Sequence, residues 1–249
     1  MIPRMRPRPP DRLDRIIAAA LRVFAEKGYR RAQMADVARE MGVAPGTLYS
    51  YVTSKDGLFH LVIDRAFARS PGPPAPALPA PDPAPGATLA RLRERLAADA
   101  ALPALDAALR RRRAADPRRE LETIVRDLYE VVERAWPGIV VLERSALDLP
   151  DLARVFYQET RRGLLERLER YLAARSRAGQ LRASHPAAAA RFVVETVASF
   201  AMHRHRDPSG WTIDDAAARE AAVELVVDAL SGPPAGRGAE KRVRRRRRR

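Results

Sequence analysis

The stretch GVAPGTLYSYVTSKDGLF, residues 42–59, brings together several groups that can bind phosphate. Among them are the hydroxyls of Thr47, Tyr49, Ser50 and Tyr51 and the ammonium group of Lys55. Such groups, with exposed backbone N–H groups, are the usual partners of DNA phosphates. We interpret the segment as one that lies against a phosphate backbone. For the two tyrosines the alternative is packing between helices, and for Lys55 it is a solvated charge.

Catalytic and metal chemistry find little support elsewhere in the sequence. Cysteine is absent, which excludes disulfides and thiolate metal sites. In HRHRD, His203 and His205 are two positions apart, so on a helix their side chains point about 200° apart and cannot share one ion. No Ser/His/Asp spacing, Gly-rich phosphate loop or carboxylate pair rises above background. We therefore expect no catalytic residues, no metal site and no cofactor.

The positive charge is concentrated at the two ends of the chain. The net charge of +15 divides into +6 for residues 1–70, +1 for residues 71–231 and +8 for residues 232–249. This distribution predicts a polyanionic partner for the ends. The excess of arginine over lysine, 43 to 3, is also what a GC-rich coding sequence produces. No signal peptide or membrane span is recognisable, so we expect a cytoplasmic protein without membrane contact.

Three breaks in composition divide the chain. Residues 1–10 form a basic, Pro-containing arm that we expect to be disordered. Residues 71–86 have eight prolines in their first fifteen positions and are predicted to be an extended linker. Residues 232–249 form a Gly/Pro/Arg tail, with either a non-specific grip on DNA or no role. The domains between these breaks are residues 11–70 and 87–231.

Both domains have the periodicity of helices, with apolar residues at steps of three and four, which predicts an all-α fold. In the first domain Gly28 ends the first helix, and Ser54 caps the fourth. Between them, a helix, a turn at Gly42 and a short helix beginning at Pro45 have the order of a helix-turn-helix. In the second domain we predict helices near 87–100, 103–114, 118–135, 138–147, 150–177, 186–206 and 213–231.

The first domain resembles a known family. IIAAALRVFAEKGYRRAQMADVAREMGVAPGTLYSYVTSKDGLFHLVI, from Ile16 to Ile63, is similar to the N-terminal domain of TetR-family (TetR/AcrR-like) transcriptional repressors. The shared features are Ala-x-x-x-Phe-x-x-x-Gly-Tyr, Val-Ala, Gly-Val, Gly-Thr-Leu-Tyr-x-Tyr and Ser-Lys-x-x-Leu, in this order. The resemblance implies an N-terminal three-helix helix-turn-helix DNA-binding domain with a connecting helix. An all-helical domain for ligand binding and dimerisation should follow.

The resemblance also implies which residues contact DNA. They are Gln33, Ala44, Pro45, Gly46, Thr47, Tyr49, Ser50, Tyr51 and Lys55. The family usually has Thr followed by Thr or Ser where this chain has Ala32 and Gln33, and Ser where it has Ala44. We interpret Ala32 and Ala44 as helix N-cap positions, at which alanine forgoes about 1 kcal/mol of stabilisation each.

The second domain is expected to bind a small apolar effector and to form a homodimer. The candidate effector-binding residues are Tyr129, Trp136, Phe156, Phe192 and Phe200, for which packing in the core is the alternative. Helices 186–206 and 213–231 are expected to pair with the same helices of a second copy, because a symmetric operator needs a two-fold protein. We place Val223 and Val227 in that interface.

Together these features predict a dimeric transcriptional repressor of a bacterial cytoplasm, associated with the nucleoid when bound to DNA. A small-molecule effector would release it from a palindromic operator in double-stranded DNA. One alternative is a structural protein that coats DNA without sequence preference and binds no effector. Another is an enzyme with a helix-turn-helix appendage, which the absence of a catalytic constellation disfavours.

Overall fold

A computed structural model describes residues 11–67, 77–99 and 101–231. The predicted arm 1–10, residues 68–76 with the first part of the predicted linker, and the tail 232–249 lie outside the described residues.

The described residues form helices joined by short connections. The α-helices are α1 (Arg12–Arg31), α2 (Met34–Glu40), α3 (Pro45–Leu48), α4 (Lys55–Ala66), α5 (Ala87–Asp99), α6 (Pro103–Leu109), α7 (Pro117–Ala146), α8 (Pro150–Ala153), α9 (Arg162–Arg177), α10 (Pro186–Ala201) and α11 (Asp215–Leu230). A π-helix spans Arg154–Arg161 and a 3₁₀-helix spans His203–Arg206. Within these ranges the structure has two isolated β-bridges and no strand, which confirms the predicted all-α class.

The contacts divide the chain into two compact units. The first contains the described residues up to Asp99 together with residues 135–159, and the second contains residues 101–134 and 160–231. The sequence places a domain boundary after residue 86, whereas in the structure α5 belongs to the first unit. The reason is that Leu92 and Leu96 of α5 are buried in the core of that unit.

In the first unit, α1 to α4 enclose an apolar core. One face of α1 contributes Ile16, Ala20 and Phe24, all fully buried. At Gly28 the backbone leaves the helical conformation (φ 72°, ψ 170°), which confirms the predicted end of the regular helix. Ser54 caps α4, because its hydroxyl accepts a hydrogen bond of 3.1 Å from the backbone N–H of Gly57.

Helix α7 corrects the prediction of two helices at 118–135 and 138–147. It runs without interruption through Pro137. Proline inside a helix removes one backbone hydrogen bond, a cost that tertiary packing can offset. Here the next residue, Gly138, packs against α4 so closely that a Cβ on it would lie 2.8 Å from the Phe67 ring.

Three other predicted boundaries also differ from the structure. The helix predicted at 103–114 ends at Leu109, and the helix predicted at 150–177 contains the π-helix in its middle. The helix predicted at 186–206 ends at Ala201, after which His203 and His205 lie in the 3₁₀-helix. In the first and third cases the apolar residues stop where the α-helix ends, since residues 110–113 are all arginine and residues 203–206 are His-Arg-His-Arg. In the second case the periodicity does not distinguish the wider π-helical turn from an α-helical one.

The second unit packs α9, α10 and α11 around an apolar core that includes part of α7. Its core also holds Arg175, 1% exposed, whose guanidinium donates to Glu120 at 2.7 Å and to the carbonyl oxygen of Ala108 at 2.8 Å. Val223 and Val227 of α11, which are predicted from the sequence to lie in the dimer interface, are instead buried in this core within the single chain. Among the helices of the described ranges, none combines the length and apolarity that crossing a membrane requires.

Candidate nucleic-acid interface

Helix α3 presents its first turn to solvent. Ala44, Pro45 and Gly46 are exposed, and a Cβ built on Gly46 would meet no atom within 4 Å. Pro45 occupies the first helical position, where its missing N–H has no intrahelical partner to lose. On the opposite side Leu48 is fully buried and anchors the helix. The arrangement leaves an uncovered backbone edge that a large, flat partner can approach closely.

The hydroxyl groups predicted to contact DNA divide into two classes. Tyr49 is 50% exposed, Ser50 is exposed and Thr47 is half-buried, so the structure brings these three together on the surface around α3. Tyr51 is only 4% exposed and lies in the apolar core of the first unit. The structure thus places Tyr51 in the packing position that the sequence left open as its alternative.

Lys55 lies at the start of α4, but its ammonium group turns toward the end of α1. The Nζ atom donates hydrogen bonds to the carbonyl oxygens of Tyr29 at 3.1 Å, Arg30 at 3.4 Å and Ala32 at 3.2 Å. It also lies 4.4 Å from the centroid of the Tyr29 ring. The last carbonyls of a helix lack intrahelical partners and carry partial negative charge, so a cation stabilises them. In the structure Lys55 joins α4 to α1, a role different from the predicted phosphate contact.

The N-cap of helix α2 is Gln33 rather than Ala32, which corrects the predicted N-cap position. The backbone N–H of Gln33 donates to Asp36 Oδ2 at 3.0 Å. Asp36 also accepts from Lys27 at 2.8 Å and from Arg39 at 2.9 Å. The hydrogen bond from Lys27, followed by those from Gln33 and Arg39, lowers the pKa of Asp36 to about 2. The side chain of Gln33 is exposed beside this capped helix start.

Sequence reasoning missed two groups of residues in the first unit. Arg31, at the end of α1, and Arg39, in α2, are exposed cations, and the pair Arg30–Arg31 just before the helix-turn-helix was a usable signal. Asp82, from the predicted linker, accepts hydrogen bonds from Thr53 and Ser54. It is the one charged residue among the prolines of residues 71–86, a signal that also went unused.

The predicted effector-binding residues do not form one cluster. In the first unit, Phe156 is buried and packs against Tyr157 with ring centroids 4.8 Å apart, and Trp136 is half-buried. In the second unit the Tyr129 hydroxyl donates to the carbonyl oxygen of Phe200 at 3.3 Å. Phe192, also of that unit, is 41% exposed.

Two clefts lie within the first unit. One has a volume of about 370 Å³ and is lined by Tyr29, Phe59, Asp82 and the turn at 149–152, among others. The second, of about 380 Å³, lies between α4 and residues 80–83. None of the predicted effector-binding residues lines either cleft.

Across the described ranges, no group of three or more His, Cys, Asp or Glu side chains is placed to hold a metal ion.

Two family models match the chain. The model of bacterial regulatory proteins of the tetR family matches residues 16–62, which contain α2 and α3. The model of the C-terminal domain of AefR-like transcriptional repressors matches residues 140–230.

Curated relatives share the helix-turn-helix region. The HTH-type transcriptional regulator UidR of Escherichia coli (strain K12) is 37% identical over 59 residues, which is 22% of this chain and 30% of UidR. The fatty acid metabolism regulator protein of Bacillus subtilis (strain 168) is 44% identical over 43 residues, 17% of this chain and 22% of that protein. The matched region therefore spans less than a third of these relatives.

Solved structures are similar over most of the chain. The ketosteroid transcriptional regulator KstR2 of Mycobacterium tuberculosis has a TM-score of 0.57 at 14% identity, covering 90% of this chain and 97% of that one. A tetR-family regulatory protein from Rhodococcus RHA1 has a TM-score of 0.51 at 18% identity, covering 88% and 96%. At such identities the likeness concerns the fold.

Proposed function

We propose that this chain, which belongs to the tetR family of bacterial transcriptional regulators, is a ligand-responsive repressor that binds a palindromic operator as a homodimer. A small apolar effector would release it from the operator. Operator, effector and assembly are our inferences, and each rests on a different part of the molecule.

The exposed first turn of α3 is the observation that carries the proposal of DNA binding. A short helix whose N-terminal backbone approaches DNA closely needs small side chains at that end and an inner face that fixes it. Ala44–Gly46 provide the first and fully buried Leu48 provides the second. The net charge of +6 over residues 1–70 favours approach to a polyanion.

The geometry separates proposed DNA contacts from residues that support them. Thr47, Tyr49 and Ser50 carry exposed or half-exposed hydroxyls and are the proposed contacts, together with the uncovered backbone at Ala44–Gly46. Gln33 is a proposed phosphate contact at the start of α2. We assign Tyr51 and Lys55 a supporting role instead, because Tyr51 is buried and the Lys55 ammonium group donates to carbonyl oxygens at the end of α1.

A homodimer through α10 and α11 follows from the symmetry of a palindrome. These helices pack against each other, and each leaves one large apolar side chain in solvent. Phe192 of α10 is 41% exposed and Leu225 of α11 is 53% exposed. Exposed apolar side chains on adjacent helices fit an interface with a second copy.

The proposed effector is a small apolar compound bound by the second unit. In this unit the Tyr129 hydroxyl donates a hydrogen bond to the backbone carbonyl oxygen of Phe200, so these two candidate residues lie side by side. The names of two similar proteins refer to fatty acids and to ketosteroids, which are apolar compounds. Release requires that the effector bind more tightly to a conformation that fits the operator poorly.

Selection of duplexes from a random pool tests the proposed function. We expect the recovered sequences to share one palindrome, and Thr47→Ala and Tyr49→Phe to weaken binding to it in a gel-shift assay. Recovery of unrelated duplexes would instead support a DNA-coating protein, for which the strongly basic ends are the favouring observation. Unchanged affinity in both variants would remove α3 as the reading helix.

A further inference from the structure

Residues 79–83, Pro79-Ala80-Pro81-Asp82-Pro83, pass across the connection between α3 and α4, and we refer to them as the strap. The backbone N–H of Ala80 donates to the carbonyl oxygen of Tyr51 at 2.8 Å, and the carbonyl oxygen of Ala80 accepts from the N–H of Thr53 at 3.0 Å. This pair of bonds is a parallel bridge between Ala80 and Val52. Ala80 and Val52 are both buried.

Asp82 adds a side-chain anchor to this backbone pairing. Its Oδ1 atom accepts a hydrogen bond of 2.7 Å from the hydroxyl of Thr53 and a second from the hydroxyl of Ser54, the N-cap of α4. The glycine in the first turn of α4 makes room for the strap. A Cβ on Gly57 would lie 3.3 Å from the carbonyl oxygen of Pro81, tighter than most contacts of that kind.

The segment that the strap holds is the one that needs an external support. Helix α3 is four residues long, far below the length at which a helix is stable in water on its own. Its direction must therefore come from what holds its two ends. Leu48 anchors the helix itself, and the strap binds the backbone at Tyr51 and Thr53 immediately after it.

We propose that the strap is a structural part of the DNA-reading region, with Ala80 and Asp82 as positioning residues for α3. They contribute no contact to DNA in this account. They fix the connection after α3, so that Tyr49 and Ser50 meet the groove in one orientation. The inference rests on the proposed function, and it assigns a purpose to a proline-rich segment that would otherwise be only a spacer.

Asp82→Ala tests the positioning role of the strap, because it removes the carboxylate acceptor of Ser54 and leaves the Thr53 hydroxyl only its longer hydrogen bond of 3.2 Å to the carbonyl oxygen of Ala80. The matched control is Glu26→Ala, which removes one negative charge from an exposed position on α1. The two readouts are the affinity for the selected operator relative to a mixed-sequence duplex of equal length, and amide hydrogen exchange at Thr53. A thermal melt of each variant confirms that it is folded.

We expect Asp82→Ala to lower the ratio of operator to mixed-sequence affinity about fivefold, the effect of roughly one hydrogen bond, and to speed exchange at Thr53. Glu26→Ala should leave both readouts unchanged. Asp82→Asn keeps an oxygen acceptor without the charge, so it should restore most of the ratio. Recovery of the affinity ratio in Asp82→Asn would show that the lost hydrogen bonds, rather than the lost negative charge, cause the effect of Asp82→Ala.

Two results would contradict the positioning role of the strap without affecting the proposed function. One is a folded Asp82→Ala variant with an unchanged affinity ratio. The other is tighter operator binding in both Asp82→Ala and Asp82→Asn, because the carboxylate would then act by repelling DNA. A wild-type protein without any preferred duplex overturns the proposed function itself, so the two failures are distinguishable.

Discussion

The backbone N–H of Tyr29 donates a hydrogen bond of 3.2 Å to the hydroxyl of Ser145, a fully buried serine near the end of α7. One residue earlier, Gly28 approaches the same helix end. A Cβ on Gly28 would lie 2.9 Å from the carbonyl oxygen of Arg144. Within the first unit, the end of α1 is thus fixed against the end of α7 by a hydrogen bond and by a contact that only glycine permits.

Gly28→Ala should destabilise the protein by about 1–3 kcal/mol. Alanine would have to adopt a φ of +72° and also displace the Arg144 carbonyl. Gly42→Ala is the matched control, because Gly42 has a φ of +66° but no atom within 4 Å of a built Cβ. Urea denaturation should therefore show a larger loss for Gly28→Ala. Equal losses would mean that the contact with α7 contributes nothing beyond the backbone conformation.

Lys55→Met should lower the free energy of unfolding by about 1–3 kcal/mol, because three carbonyl oxygens lose a charged donor. Methionine has a similar unbranched stem, so the apolar packing is largely kept. The salt dependence of DNA binding should stay as in the wild type, since the ammonium group faces protein. If the variant is as stable as the wild type and its slope of log affinity against log salt concentration is smaller by about 1, then Lys55 contacts a phosphate.

The helix-turn-helix could be predicted from the sequence because its signals are local. The positive φ of Gly28, the helix start at Pro45 and the cap at Ser54 are each set within a few residues of their own position. Periodicity likewise identified helices throughout the second domain, although it broke α7 at Pro137. Proline is unfavourable inside a helix by propensity alone, and only the packing of the complete helix shows that it is tolerated here.

The surroundings of Lys55 and Asp82 could not be predicted, because each has hydrogen-bond partners distant in the chain, and for Tyr51 the sequence left both packing and a DNA contact open. Lys55 finds its acceptors about 25 residues earlier, and Asp82 finds its donors 28 and 29 residues earlier. A polar or aromatic side chain beside a reading helix has the same appearance in sequence whether it faces DNA or protein. Their burial and hydrogen bonds become visible only in the folded domain, and they are the basis on which we propose supporting roles for these residues.

Asp36→Asn should destabilise the protein near neutral pH, by about 1 kcal/mol once solvent screening is allowed for. The pKa of Asp36 is lowered from 3.8 to about 2, chiefly by the hydrogen bond from Lys27. A lowered pKa contributes stability above pH 3.8 that disappears as the pH falls through about 2. Denaturation of both proteins from pH 6 to pH 2 should show their difference shrinking below about pH 4. A constant difference would contradict this coupling.

Phe192→Glu with Leu225→Glu should yield a folded monomer, because both side chains are exposed in the single chain and would lie in the proposed interface. Val223→Asp with Val227→Asp is the contrasting pair. These valines are 3% and 2% exposed within their own chain, so their replacement should unfold the second unit rather than separate two copies. Sedimentation and circular dichroism distinguish the outcomes. A wild-type monomer at micromolar concentration would contradict the dimer.

Footprinting on a duplex that contains the selected sequence tests the central claim most directly. A repressor that presents two copies of α3 in a two-fold dimer should protect a single palindrome, with half-sites centred about one helical turn apart. Thr47→Ala should weaken this protection, and the flanking DNA should stay accessible. Uniform protection along the whole duplex, equal for wild type and Thr47→Ala, would contradict sequence-specific reading by α3 and leave a protein that coats DNA through its charge.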